Sequence, residues 1–463
     1  MAKKKQIELT IEEKLQNALV PKEEQPYKIP NNWCWTYVSN VMNIVMGQSP
    51  KGVDTTQNVS DIPLIGGASD MGDLYPRVNK YTKKATKLSK EDDVILSIRA
   101  TLGRPIFSDG VYCLGRGVAG ISSNYLSKEF IRYYYICFES GLYSNATGTT
   151  FLQVTGSVLN KMLIPLPPIK EQQRIVNIIE SLFAKLDKAK ELIENTLAQF
   201  EQNKMAILHK AFTGELTAKW RKENNINNIK DVSYIEKLPY IVPNGWYWDK
   251  LENITIRIVD GDHNPPAKEK EKTSYIMLSA QNIGYSSFIN MDKVRYLSKD
   301  NFDKCHKRTC LEDGDILFSS VGSIGNAMVY REKENDKITF QRSVTIIKTK
   351  INPYYLRYVL LSPYCQQIFK TESIGTAQKG FYIKQMKSLI VPVPTIEEQQ
   401  EIVNILDNLL AKYNKIKNLE QQLEKIELLK KAILAKAFRG ELGTNNPDEE
   451  SAENLLKEIL VEK

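Results

Sequence analysis

The sequence predicts an α+β chain organised as an internal pseudo-twofold repeat, with two mixed α/β domains separated by two long antiparallel coiled-coil helices. Three observations predict it: a set of motifs occurs twice in the same order, each domain closes on a proline-rich hinge, and each hinge leads into a long stretch free of glycine and proline. At 463 residues the chain exceeds one ordinary domain of about 100 to 200 residues.

The repeat opens with Ile29-Pro30-Asn31-Asn32-Trp33-Cys34-Trp35, which returns as Val242-Pro243-Asn244-Gly245-Trp246-Tyr247-Trp248. Asp93-Val94-Ile95-Leu96-Ser97 answers Asp315-Ile316-Leu317-Phe318-Ser319, with Gly103 and Gly325 at the same offset, as in a strand followed by a turn. Gly115-Arg116-Gly117-Val118 answers Gln341-Arg342-Ser343-Val344, and Gly148-Thr149 answers Gly375-Thr376. The hinge Pro165-Leu166-Pro167-Pro168-Ile169-Lys170-Glu171-Gln172-Gln173 answers Pro392-Val393-Pro394-Thr395-Ile396-Glu397-Glu398-Gln399-Gln400. Last, Ala211-Phe212-Thr213-Gly214-Glu215-Leu216 answers Ala437-Phe438-Arg439-Gly440-Glu441-Leu442.

Behind the first hinge, Ile175, Ile179, Leu182, Leu186, Ala189, Ile193, Leu197 and Phe200 fall mainly at alternating spacings of four and three, the seam of a coiled coil. Behind the second, Ile402, Leu406, Leu409, Tyr413, Ile416, Leu419, Leu423 and Ile426 do the same. The prolines suit helix starts, and Gly214 and Gly440 suit stops. At about 1.5 Å per residue each helix is roughly 60 Å long, and near-equal lengths favour pairing with each other. Antiparallel pairing would place the domains at opposite ends about an approximate twofold axis. The segments are 1–28, N-terminal; 29–165, first domain; 166–216, central helix; 217–241, linker; 242–392, second domain; 393–442, second helix; and 443–463, a charged C-terminal tail.

Composition narrows the function classes. Hydrophobic residues at 42% and charged residues at 25% fit a soluble globular protein. No apolar run reaches the roughly 20 residues that span a bilayer, and no apolar stretch follows the charged start, so a cytoplasmic chain without membrane contact is expected. Six scattered cysteines imply reduced thiols. The net charge of +8 permits an acidic partner.

Catalytic motifs are missing. There is no Gly-x-x-x-x-Gly-Lys-Ser/Thr loop for a nucleotide. Asn264-Pro265-Pro266 resembles the start of an amino-methyltransferase motif, yet Ala267 stands where an aromatic should stack on the target base, so a turn is expected. Cys305, His306 and Cys310 fit no zinc spacing. With three histidines, a nucleophile triad finds little material.

The paired Pro-x-Pro-x-x-x-Glu-Gln-Gln segments, the two Ala-Phe-x-Gly-Glu-Leu closures and the following Thr217-Ala218-Lys219-Trp220-Arg221 resemble the specificity subunit of type I restriction-modification systems over essentially the whole chain. The resemblance implies two target recognition domains that read the halves of a split, asymmetric sequence in double-stranded DNA. Equivalent positions on a duplex recur about every 34 to 36 Å, so half-sites centred about 10 base pairs apart are expected. It also implies that the helical regions dock two modification subunits. Catalysis then belongs to partners: S-adenosylmethionine on the modification subunit, ATP and Mg on a restriction subunit, and no cofactor or metal on this chain. Lys185, Lys188, Lys190, Glu191, Lys412, Lys415 and Lys417 lie outside the seams, either as solvated faces or as docking contacts. A coiled-coil adaptor with two protein-binding heads is the alternative reading.

Candidate DNA contacts follow from residue chemistry. Arg116 and Arg342 occupy matching places and could grip guanine or phosphate bidentately, or form structural ion pairs. Thr149, Thr150, Thr376, Gln378 and Lys379 sit in glycine-led loops suited to phosphates or base edges, or are plain loops. Arg77, Lys80, Lys83, Lys84 and Lys87, interleaved with Tyr75 and Tyr81, form a basic run open to phosphate or to solvent. In the second domain His263, Gln281, Asn282 and Arg295 are polar and near glycines, and Gln and Asn are the usual adenine readers.

Overall fold

A computed structural model describes residues 9–148, 151–224, 238–333, 337–375, 379–414 and 417–462. The chain forms two compact units, one of Met1–Ile193 with Gln421–Lys463 and the other of Glu194–Glu420. Each globular domain therefore shares a core with parts of both long helical regions. No helix among the described residues is long and apolar enough to cross a membrane.

In the first unit, strands Asn43–Met46, Val118–Ser122, Val94–Ser97 and Gly103–Phe107 form an antiparallel sheet in that order. Successive side chains of a strand point to opposite faces. Val94 and Leu96 accordingly enter the main core under helix Lys128–Cys137, whereas Ile95 joins a second cluster with Ile65, Ile106, Leu114 and Val118. That second layer holds Ile62–Ile65, antiparallel to Tyr81–Thr82 and parallel to Cys113–Leu114.

The second unit repeats this plan. Its sheet runs Thr255–Asp260, Val344–Thr349, Ile316–Ser319, Ala327–Val329. Ile316 and Phe318 face one core and Leu317 the other. Ile276–Leu278 pairs antiparallel with Arg295–Tyr296 and parallel with Ile338–Phe340. One departure is helix Lys299–Thr309, whose Phe302 and Cys305 cover Met277 and Leu297.

A two-stranded ribbon joins the opening motif of each domain to its hinge. Cys34–Tyr37 pairs with Leu163–Leu166, placing Trp35 opposite Pro165, and Tyr247–Lys250 pairs with Ile390–Val393, placing Trp248 opposite Pro392. The central helix then runs Ile169–Phe212, and the second helical region comprises Ile396–Asn414 and Lys417–Ala437. Ile175 and Ile179 are buried, while Leu182, Leu186 and Ala189 are half-buried, as a narrow seam requires. Within the first unit, Asp187 pairs with Lys430 and Lys190 with Glu427 at 3.0 Å. Rising numbers on one helix meet falling numbers on the other, which is antiparallel packing.

Both terminal segments belong to the first unit's core. Helix Ile11–Ala18, closed by a Thr10–Glu13 capping box, contributes Leu15 and Ala18 to the cluster that holds Ala452, Leu456 and Ile459 of helix Ala452–Glu462. The charged tail therefore carries an amphipathic helix. It is tethered by Arg174, which donates to Glu449 at 2.8 and 2.7 Å through Nη1 and Nη2.

Candidate nucleic-acid interface

In each unit the loops that follow the sheet strands are tied to one another by backbone hydrogen bonds and form a rim. In the first unit, Gly47 N–H donates to Val118 O at 3.0 Å and Gln48 N–H to Leu114 O at 2.8 Å. A Cβ at Gly47 would collide with the Gly115 carbonyl, so only glycine lets these loops touch. Arg116 N–H donates to Ser49 Oγ at 3.2 Å, Ile98 N–H to Gly117 O at 2.9 Å, and Val154 N–H to Ile98 O at 2.9 Å. The second unit repeats four of these bonds, while its arginine N–H donates to a backbone carbonyl in place of a serine hydroxyl. Gly261 N–H donates to Val344 O at 3.0 Å, Asp262 N–H to Phe340 O at 2.8 Å, Arg342 N–H to Asp262 O at 2.8 Å, Ser320 N–H to Ser343 O at 2.9 Å, and Phe381 N–H to Ser320 O at 2.8 Å.

The rim thus brings Arg116 beside the 147–154 loop, and Arg342 beside His263 and the loop of Lys379. Both arginines are exposed, and among the described residues neither has a carboxylate within ion-pair distance. Their backbones are fixed while their guanidinium groups are uncommitted. Other arginines are consumed by the fold: Arg104 Nη2 donates to Met71 O at 3.2 Å, Arg132 Nε to Pro105 O at 3.1 Å, and Arg357 Nε to Ala327 O at 3.1 Å. A guanidinium that folding leaves free on a rigid loop matches guanine or phosphate in geometry and charge.

Lys80, Lys83, Lys84 and Lys87 are exposed around buried Thr82, which pins the run by donating to Asp54 O at 3.1 Å. Arg77 leans 3.6 Å from Asp73 with both side chains almost wholly solvated, a pair worth little. Lys379 is exposed and borders a cleft with Gly322, Gln366 and Lys370. Thr149, Thr150, Thr376, Gln378 and Lys415 lie outside the described residues. Lys190, read as a docking candidate, is engaged with Glu427.

Two residues read as base contacts make bonds within the fold. Asn282 is 1% exposed; its Oδ1 accepts from Ser279 N–H at 3.0 Å and its Nδ2 donates to Ile289 O at 3.3 Å and Asn290 O at 3.0 Å. Its amide is spent closing the 279–290 loop, so no edge is left for adenine. Arg295 is half-buried and donates to Pro266 O at 2.6 Å, bracing the Asn264-Pro265-Pro266 turn. Gln281 keeps an exposed side chain, with one long bond of 3.4 Å to Lys293 O. The His263 ring nitrogen is 2.6 Å from Asp260 Oδ2, on a carboxylate that also takes Arg308.

The Cys305, His306 and Cys310 side chains go separate ways. Burial and the neighbouring Asp262 push the Cys305 thiol up to about 11, and it donates to Asp262 Oδ2 at 3.5 Å. His306 stacks on Phe302, and exposed Cys310 caps its helix at φ 44°. Sequence reasoning missed Arg99, half-exposed on the first rim and bridged through its backbone to Gln153. Its signal was a cation directly behind the repeated strand motif.

The family profile described as "Type I restriction modification DNA specificity domain" matches residues 30–198 and 263–428. The type I restriction enzyme EcoBI specificity subunit of Escherichia coli is 28% identical over 457 residues, covering 94% of this chain and 93% of that one. The EcoKI specificity subunit of Escherichia coli strain K12 is 26% identical over 479 residues, covering 94% and 96%. A solved structure reported as "Structural basis underlying complex assembly and conformational transition of the type I R-M system" is similar in fold, with a TM-score of 0.67 at 19% identity over 90% of this chain and 100% of that one. With the profile matched in both halves, on the two units that carry the rims, the chain belongs to the type I restriction-modification DNA specificity family.

Proposed function

We propose that this chain is the DNA-recognition subunit of a type I restriction-modification complex and reads a two-part, asymmetric duplex sequence, one half with each unit. The observation that carries this reading is the rim built twice on four shared backbone bonds, each with an uncommitted arginine at the same place. Equal frames with unequal side chains suit one scaffold to two different half-sites.

On this reading the chain binds and positions, and chemistry is done by partners. Two modification subunits dock on the helical regions and methylate adenine with S-adenosylmethionine. Restriction subunits supply ATP- and Mg-dependent translocation and cleavage. The test is co-expression with the modification subunits and mapping of methylated adenines. One two-part motif with an unread gap is expected; a continuous motif, or none, overturns the reading. Exchanging residues 31–165 for another such domain should change one half of the motif only. Binding to random duplex that does not weaken steeply with salt would favour a protein-binding adaptor.

A further inference from the structure

Thr147 and Gln153 pair with each other: Thr147 N–H donates to Gln153 O at 2.9 Å and Gln153 N–H to Thr147 O at 2.8 Å. Gly148 turns the chain at φ 108°, and a Cβ there would collide with the Phe151 carbonyl. Ala100 N–H, donating to Leu152 O at 2.8 Å, fixes the loop to the rim. In the second unit Ile374 and Gly380, at the same separation, are paired in the same way. Ile374 N–H donates to Gly380 O at 3.0 Å, Gly380 N–H to Ile374 O at 2.9 Å, Gly322 N–H to Lys379 O at 3.3 Å, and Gly375 sits at φ 128°. By this register Leu152 stands where Lys379 stands.

The side chains differ in kind. Phe151 is 60% exposed and Leu152 37% exposed, beside exposed Gln153, whereas Lys379 is a solvated cation. A single exposed apolar residue is ordinary on a protein surface. An adjacent aromatic and aliphatic pair, held out by a pinned loop on the same rim as Arg99 and Arg116, is a prepared contact.

We propose that Phe151 and Leu152 are an apolar reading element of the first unit that touches the apolar surface of DNA bases in its half-site. This rests on the reading of the rim as the DNA interface. The matching chemistry is a thymine methyl in the major groove, or a base face exposed where a step is partly unstacked. At the position of Leu152 the second unit offers Lys379, so at this one place the frame gives an apolar contact to one half-site and a charged contact to the other.

The test uses the full chain with its modification subunits. The methylated motif of the wild type is mapped first. Binding is then measured for wild type, Phe151→Ala and Phe151→Ala/Leu152→Ala on duplexes carrying that motif, and on duplexes in which each thymine of the first half-site is replaced by deoxyuracil, which lacks only the methyl group. Methyl reading predicts that one replacement weakens the wild type roughly tenfold and the variants less than about twofold. Step opening predicts instead that 2-aminopurine at one step of that half-site brightens with wild type and not with the variants. In both cases the second half-site keeps its preference. Variants that keep the wild-type fold by circular dichroism and also keep wild-type affinity, motif and both responses overturn the proposal. A wild type with no two-part motif overturns the underlying reading as well, which separates the two failures.

Discussion

The indole Nε1 of Trp33 donates to Oε2 of Glu171 at 2.8 Å, and Trp246 Nε1 meets Glu398 Oε2 at the same 2.8 Å. Both carboxylates are wholly buried. Each draws a threonine as well: Thr444 Oγ1 donates to Glu171 at 3.0 Å, and Thr217 Oγ1 to Glu398 at 2.6 Å. The opening motif of each domain, its hinge and the segment after a helix closure thus converge on one glutamate. Around them Gly214 at φ 78° packs on Pro243, and Gly440 at φ 72° packs on Pro30.

The environments of the two glutamates predict unequal losses. Glu171→Ala leaves the Trp33 and Thr444 donors without an acceptor and takes one of two acceptors from Asn445 Nδ2, for which about 2 to 4 kcal/mol is expected. Glu398→Ala also strands Arg221, whose side chain is 11% exposed, and about 3 to 5 kcal/mol is expected. Hydrogen exchange resolved by unit is the measurement, since two units need not unfold together. A smaller loss at Glu398 than at Glu171, or losses below about 1 kcal/mol, would contradict the assignment.

The repeated Asp93 and Asp315 should respond differently to neutralisation. Each is 5% exposed and caps its turn, Asp93 through Lys90 N–H and Asp315 through Glu312 N–H, both at 2.8 Å. Burial raises both carboxyls above their ordinary range. A raised folded value means that stability is full below the unfolded value of about 3.9 and is lost as pH rises through the folded one. Asp93→Asn keeps the acceptor and removes the buried charge, so at neutral pH it should melt no lower than wild type, with any gain vanishing toward pH 4 or so. Asp315→Asn removes a charge 3.2 Å from the buried Lys348 Nζ, which keeps only the solvated Glu312, and about 1 to 3 kcal/mol of loss is expected. Thermal melts across pH decide both.

Asn282→Ala tests whether this side chain is framework. It removes four hydrogen bonds inside a buried loop, and destabilisation of about 1 to 3 kcal/mol is expected in denaturant titrations. At temperatures where the variant is folded, its DNA preference should match the wild type. A stable variant with altered preference at one base would restore Asn282 as a reader.

These cases show why the frame was legible in the sequence and the contacts were not. Trp33, Glu171, Gly214 and their counterparts repeat because each geometry admits few residue types, so identity carries through both copies. The role of Asn282 and Arg295 was not legible because the same polar side chains serve loop closure and base reading, and only the tertiary path gives them partners within the fold. The helix Ala452–Glu462 was hidden in a charged segment, although Ala452, Leu455, Leu456, Ile459 and Leu460 follow helical spacing. Phe151 was passed over because an exposed aromatic becomes informative only when its loop is known to be pinned.

Arg116 and Arg342 give the most direct test of the rim. Because both are exposed and unpaired among the described residues, Arg116→Ala and Arg342→Ala should leave melting within about 0.5 kcal/mol of wild type, whereas Arg357→Ala, which removes a guanidinium bonded to Ala327 O, should not. If each arginine reads a guanine, its loss relaxes one base of one half-site by about 1 to 3 kcal/mol, roughly 5- to 150-fold, and lysine fails to restore it because the bidentate fork is gone. If each grips a phosphate, binding weakens evenly across sequences, the salt slope falls by about one, and lysine restores most of it. The two outcomes separate in a single titration series on the mapped motif and its single-base variants. An Arg116→Ala protein that binds and discriminates like wild type at all salt concentrations would remove the first rim from the interface. Because Arg342 occupies the same frame on different neighbours, its variant should affect only the other half-site.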